Sequence, residues 1–186
     1  MLASLVNYPD LEVIWVDAHP DINTYSSSWS GNRHGCPLSI CTGLEEEHWG
    51  SRMSLPTLKF SQITYCGIRD IDDFEASIIK DNNIRHLSVT DTIDYIKRVN
   101  KPIHISFDVD AMDPTLIDAT GTPVEGGLKA EEVRAIITAG LDSENLQSLD
   151  VVEFNTELGN VDSSFDSLKK VFVTEESEKR RIGQRM

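Results

Sequence analysis

The sequence predicts an α/β protein: a mainly parallel sheet with helices on both faces. Five apolar runs of strand character are separated by segments of helical character. Two of those runs end in acidic clusters, at the strand ends where open parallel sheets place their ligands. The third observation is size, since 186 residues with 39% hydrophobic content can build one core but not two.

Taken in order, the first run is "LEVIW" (11–15), which leads directly into "WVDAHPDIN" (15–23). The other four are "QITYCGI" (62–68), "IRHLSV" (84–89), "PIHISFDVD" (102–110) and "LQSLDVVEFN" (146–155). Helical segments are expected over 73–82 and 91–99. "LKAEEVRAIITAG" (128–140) sets Val133, Ile136 and Ile137 at helical spacing, with Gly140 as its C-terminal stop. From residue 162 onward Phe165, Leu168 and Phe172 repeat that spacing. The loop "NTYSSSWSGNRHG" (23–35) is too rich in Ser, Asn and Gly for a core element. With no internal repeat or linker, residues 1–173 form one domain, and the charged, aperiodic tail 174–186 is expected to be disordered.

The formal net charge is −14, with 31 acidic residues against 17 basic ones. That balance argues against nucleic acid or an anionic membrane as partner and is compatible with a small cationic substrate. No apolar stretch is long enough to span a bilayer, and "MLASLVNYPD" lacks the features of a secretory signal, so a soluble cytoplasmic protein is expected. Cys36, Cys41 and Cys66 are odd in number and lack CxxC spacing, which makes them ordinary reduced thiols.

Asp17, His19 and Asp21 occupy alternate positions, which in extended chain point to one side. Carboxylates crowded in this way repel unless a cation sits between them. Asp108 and Asp110 repeat the alternation at the end of 102–110. A calcium loop is disfavoured because Met112 and Asp113 stand where an EF-hand needs an oxygen ligand followed by Gly. Four carboxylates and one imidazole suit a borderline-hard divalent ion, and manganese is the natural choice. Carboxylates can bridge two such ions, and a water between them would lose a proton near neutral pH.

The motifs "DAHPDIN", "SGNRHG", "GIRDID", "SFDVDAMDP", "ATGTPVEGGL" and "VEFN" together resemble the ordered motifs of the ureohydrolase family, nearest to its arginases. The resemblance implies an arginase-like three-layer fold, truncated at its N-terminus. It implies that Asp17 and Asp108 bridge two manganese ions, that Asp21 completes one site, and that His19 and Asp110 complete the other. Asp110 would also orient the bridging hydroxide. His34 matches a proton-shuttle histidine, a role for which imidazole, able to accept at one nitrogen and donate from the other, is suited. Glu153 matches the carboxylate that engages the substrate guanidinium. Asn23, Ser30 and Asn32 match contacts to the substrate α-carboxylate, and Asp72, with Glu75 close behind, the partner of its α-amino group. Thr122 falls in the same substrate-binding set. The implied reaction is manganese-dependent hydrolysis of L-arginine to L-ornithine and urea by a homo-oligomer, the alternatives being another amidinohydrolase such as agmatinase or a non-catalytic relative.

Three departures accompany the resemblance. Thr156 stands where the family commonly has proline, which predicts a looser turn beside Glu153. A Gly-Gly-Asp-His-Ser motif, whose histidine is a terminal ligand of the metal that Asp21 binds, would fall before Met1. His48, His86 and His104 sit in no comparable motif, and His104 reads as a core residue of its strand. The family's apolar C-terminal helix gives way to charged residues after Val173.

Overall fold

The computed structural model describes residues 1–46 and 55–173. Five strands, β1 (Glu12–Val16), β2 (Ile63–Cys66), β3 (Arg85–His86), β4 (Ile103–Asp108) and β5 (Leu146–Val152), form one sheet in the order β3-β2-β1-β4-β5. Every pairing is parallel. Among the described residues six α-helices accompany them: α1 (Leu2–Asn7), α2 (Pro37–Thr42), α3 (Asp73–Asp81), α4 (Val89–Arg98), α5 (Ala130–Leu141) and α6 (Val161–Phe172).

The continuous apolar character of β1 follows from burial on both of its faces. Ile14 and Val16 enter one core with Ile105 and Phe107 of β4, Ile96 of α4, and Val133, Ile136 and Ile137 of α5. Val13 and Trp15 point the other way, into a second core with Ile63 and Tyr65 of β2, Leu5 of α1 and Leu38 of α2. These two cores separate the three layers. In register, Val16 pairs with Cys66 on one side and Phe107 on the other, so the carboxyl ends of β1, β2 and β4 are level. Whatever follows those strands meets at one place.

The opposite end of the sheet is closed by a charge network. Glu12, 3% exposed, accepts from Arg85 at 2.7 Å, from Lys101 at 2.7 Å and from the Tyr95 hydroxyl at 2.6 Å. Arg85 also donates to Thr64 and lies over the Tyr95 ring.

Several boundaries differ from expectation. The run 84–89 yields only a two-residue strand because Ser88 turns the chain into α4, its hydroxyl accepting the Asp91 N–H at 3.1 Å. β5 stops at Val152 because Glu153 adopts a positive φ of 63°. Gly140 does not terminate its helix: it lies inside α5, where a Cβ would run into Ile105 of β4, so its missing side chain permits close helix–sheet packing. In α6 the expected apolar spacing is present, but Phe165 is 50% and Phe172 41% exposed, whereas Val171 is buried. Helices α1 and α2 span six residues each, too short to leave a periodic signal. His104 is fully buried, as a core reading requires, with Nδ1 2.8 Å from the Ser148 hydroxyl. His86 is exposed on β3, and His48 and the tail 174–186 lie outside the described residues. The three cysteines are unpaired and buried. Among the described residues no helix is long and apolar enough to cross a membrane.

Candidate active site

β1 ends at Val16, so Asp17, His19 and Asp21 are carried by the loop beyond it and not by an extended strand. Asp21 has a positive φ of 51°, which bends the chain back, and its carbonyl accepts the Leu38 N–H at 3.0 Å. β4 likewise ends at Asp108, and Asp110 stands on the single 3-10 turn Val109–Ala111. The Asp108 carboxylate caps that turn by accepting the Asp110 N–H at 2.9 Å.

These two loops interlock through side chains. Asp17 accepts the His19 N–H at 2.7 Å, and Asp110 accepts the Ala18 N–H at 3.2 Å. His19 Nδ1 lies 3.1 Å from Asp110 and 3.5 Å from Asp17, while Nε2 faces Asp70 at 3.6 Å. The Thr122 hydroxyl donates to the second Asp110 oxygen at 3.1 Å. Ligand atoms of Asp17, His19 and Asp110 all lie within 4.8 Å of one another. Asp21 and Asp108 border the same cavity without belonging to this tight group.

The electrostatics of the cluster are those of a site short of positive charge. Burial pushes the Asp17 carboxyl up to about 6 despite its hydrogen bond from His19. Burial, then the charges of Asp17 and Asp110, pushes Asp108 up to about 10. Burial and the Asp17 charge likewise raise Asp21. Burial works against a charged His19, but its hydrogen bonds to Asp110 and Asp17 prevail and lift the imidazole to about 11. Burial also acts to raise Asp110, yet the His19 contact leaves it below the usual carboxylate range. One imidazolium serves several buried carboxylates, and a divalent cation would satisfy the remainder. Carboxylate oxygens with one imidazole nitrogen are the donor set of a hard or borderline divalent ion, so the residues present fit a metal such as manganese. Asp70, on the outer ring nitrogen, is the kind of partner that orients a ligating histidine.

Above this floor opens a cavity of about 370 Å³. Of the residues singled out in the sequence, all except Asp17 line it, and Asp17 is buried against His19. Asn23 donates to Asp72 at 2.7 Å and accepts from Ser27 at 2.7 Å. Asp72 caps α3 by accepting the Glu75 N–H at 2.9 Å, and Glu75 accepts the Ile22 N–H at 3.2 Å, tying helix and loop together. Burial, then the Asp72 charge, pushes Glu75 up to about 7. Ser30 and Asn32 meet through an Asn32 N–H donated to the Ser30 hydroxyl at 3.3 Å. His34, on the 3-10 turn Arg33–Gly35, and Glu153, just past β5, are exposed at the rim. The turn after Glu153 is not loose: Asn155 donates its N–H to Ala119 at 2.8 Å and its side chain accepts from Glu157 at 2.9 Å.

Sequence reasoning missed four contributors. Ser28 and Trp29, the latter 92% exposed, line the cavity mouth, and Asp70 backs His19. Arg69 directly follows the apolar run 62–68, and an arginine at that point, on the ligand-bearing side of the sheet, is the available signal.

The sequence pattern described as the arginase family matches residues 1–173. An arginase of Eremothecium gossypii is 43% identical over 169 residues, 83% of this chain and 42% of that protein. Human Arginase-1 is 40% identical over 169 residues, 82% of this chain and 52% of that protein. The chain thus spans about half the length of the curated relatives it matches. Among solved structures, the arginase of Entamoeba histolytica, in complex with L-ornithine, superposes with a TM-score of 0.79 at 33% identity, covering 88% of this chain and 60% of that one. The arginase of Bacillus caldovelox gives a TM-score of 0.81 at 29% identity over 91% of this chain and 62% of that one. With its parallel sheet, its carboxylate-rich strand ends and these similarities along most of its length, the chain belongs to the arginase family.

Proposed function

We propose that this chain carries the metal-binding floor and substrate cavity of a manganese-dependent hydrolase that converts L-arginine to L-ornithine and urea. The observation that carries the reading is the convergence of Asp17, His19, Asp21, Asp108 and Asp110 beneath one cavity, whose walls carry Asn23, Asp72 and Glu75. Manganese bound there supplies a hydroxide nucleophile by lowering the pKa of water. Asp17, His19 and Asp110 hold the ion, with Asp21 and Asp108 completing its surroundings. Asp110, fixed on both oxygens by Ala18 and Thr122, also orients the attacking oxygen. Glu153 receives the guanidinium, where a planar, paired contact sets orientation. Asp72 and Glu75 face the α-amino group, and Asn23, Ser30 and Asn32 the α-carboxylate. His34, at the rim, passes a proton between the leaving amine and solvent. Such an enzyme would act in the cytoplasm.

The experiment is urea release from arginine and from agmatine by the manganese-loaded chain. Preference for arginine is expected, because agmatine lacks the carboxylate that the 23–32 loop would recognise; preference for agmatine overturns that assignment. A second reading, a relative that binds metal without turnover, is favoured by one observation. Among the described residues the tight ligand group is single and holds one nitrogen. Elemental analysis alongside the urea assay separates the two: bound manganese with no urea supports binding alone, and bound manganese with turnover supports the enzyme.

A further inference from the structure

Arg69 makes an unusual set of contacts. Its side chain donates to five backbone carbonyls: Glu125 from Nε at 3.1 Å, Gly67 and Ala111 from Nη1 at 3.1 and 3.2 Å, and Asp110 and Val124 from Nη2 at 2.8 and 2.6 Å. A guanidinium has five N–H donors, so each is matched to one acceptor and none is given to a carboxylate. Its own backbone N–H donates to Ala18 at 2.8 Å. One residue therefore ties together the exits of β1, β2 and β4 and the 120–126 loop.

We propose that Arg69 is a positioning residue that locks the 120–126 loop onto these strand ends and thereby holds Asp110 in its metal-binding arrangement. The link is direct. Arg69 fixes the Asp110 main chain through its carbonyl, and the loop that Arg69 anchors at Val124 and Glu125 carries Thr122, whose hydroxyl fixes the Asp110 side chain. Asp110 is thus gripped from backbone and carboxylate by one device. Lysine preserves the charge but offers three donors from one point and cannot reproduce the fork.

The inference rests on the proposed metal site, and the test separates the two. Hydrogen exchange of the metal-free chain should be slow at the Ala18 amide, which donates to the Asp110 carboxylate, and at the Leu128 amide, which donates to Ala111 just beyond the anchored loop. Arg69→Lys should lose that protection. By manganese titration the same variant should bind the ion 10- to 100-fold more weakly, the range typical of residues that support ligands. Glu12→Gln, at the far end of the sheet, serves as the control: it should lower unfolding stability while leaving manganese affinity unchanged. Unchanged exchange at both amides in Arg69→Lys, unchanged affinity in the same variant, or a matching loss of affinity in Glu12→Gln overturns the proposal. A parent chain that binds no manganese, with protection of these amides lost in Arg69→Lys, overturns the metal reading and leaves the anchoring role standing. Should Arg69→Lys not fold, Arg69→Gln serves as the second variant, read by the same exchange and titration.

Discussion

At the amino end of the sheet, buried Glu12 is met by two cations and a hydroxyl; at the carboxyl end, Asp17 and Asp110 share one imidazole with Asp108 buried beside them. The first network is complete within the chain and binds strand to helix. The second has more negative charge than its own residues can offset, and burial has already raised Asp17, Asp21 and Asp108. Both ends bury ionisable groups of the same kind. What distinguishes a brace from a binding site here is whether the charges balance without a ligand.

The comparison breaks most visibly at Glu12. Glu12→Ala should cost about 3 kcal/mol of unfolding free energy in urea, toward the lower part of the range for a broken buried pair because Arg85 and Lys101 can rehydrate. At the carboxyl end the sign reverses on adding a ligand. Manganese at a hundredfold excess over its dissociation constant should stabilise the chain by about 2.7 kcal/mol, and a chelator should remove that gain. Asp17→Asn should abolish the response, whereas Glu12→Ala should retain it; a response preserved in Asp17→Asn would remove that residue from the metal set.

An effect of comparable size is readable in pH. Asp17 has a folded-state value of about 6 against an ordinary 3.8, so the native state holds its proton more tightly than the unfolded chain. Its contribution to stability is therefore present at low pH and lost as pH rises from about 4 to about 6, at a cost of roughly 2–3 kcal/mol in the metal-free chain. Glu75, raised to about 7, acts in the same direction over a slightly higher window. His19, lifted to about 11, holds its proton in both states below pH 6 and adds no slope there. Asp108, raised to about 10, and Asp21 add to the slope through the same window, so denaturation curves should show lower stability at pH 6 than at pH 4, and Asp17→Asn should reduce that difference without removing it. The smallest expected effect is His34→Asn, within about 0.5 kcal/mol in stability because the side chain is an exposed surface group, with manganese content unchanged and turnover reduced. Loss of metal from that variant would move His34 into the ligand set.

Much of this was legible in the chain itself. β1 was readable because a strand buried on both faces is largely apolar, and β4 because Ile103, Ile105 and Phe107 alternate; the acidic residues after both stand out by contrast. The paired acidic clusters pointed to the ligand-bearing end of the sheet. The stereochemistry was not legible: Asp21 reaches the cavity through a left-handed backbone and Asp110 through a 3-10 turn, neither of which follows from strand alternation. Arg69 escaped notice because its partners are main-chain carbonyls, which have no side-chain identity for a sequence to display. Ser88 escaped for a related reason: a cap of one residue outweighs the apolar character of the run it interrupts.

The all-parallel sheet also governs how the site comes into being. The contact between Ala18 and Asp110 joins residues 92 apart in the chain. Closing such loops is slow, because entropy is lost before the distant pairings return it. The carboxylates assemble only when β1 and β4 are side by side, so the ion can act on the finished sheet but cannot template its nucleus. Refolding should therefore proceed at the same rate with or without manganese, and the metal should instead slow unfolding, which makes it a determinant of the protein's lifetime and not of its folding speed.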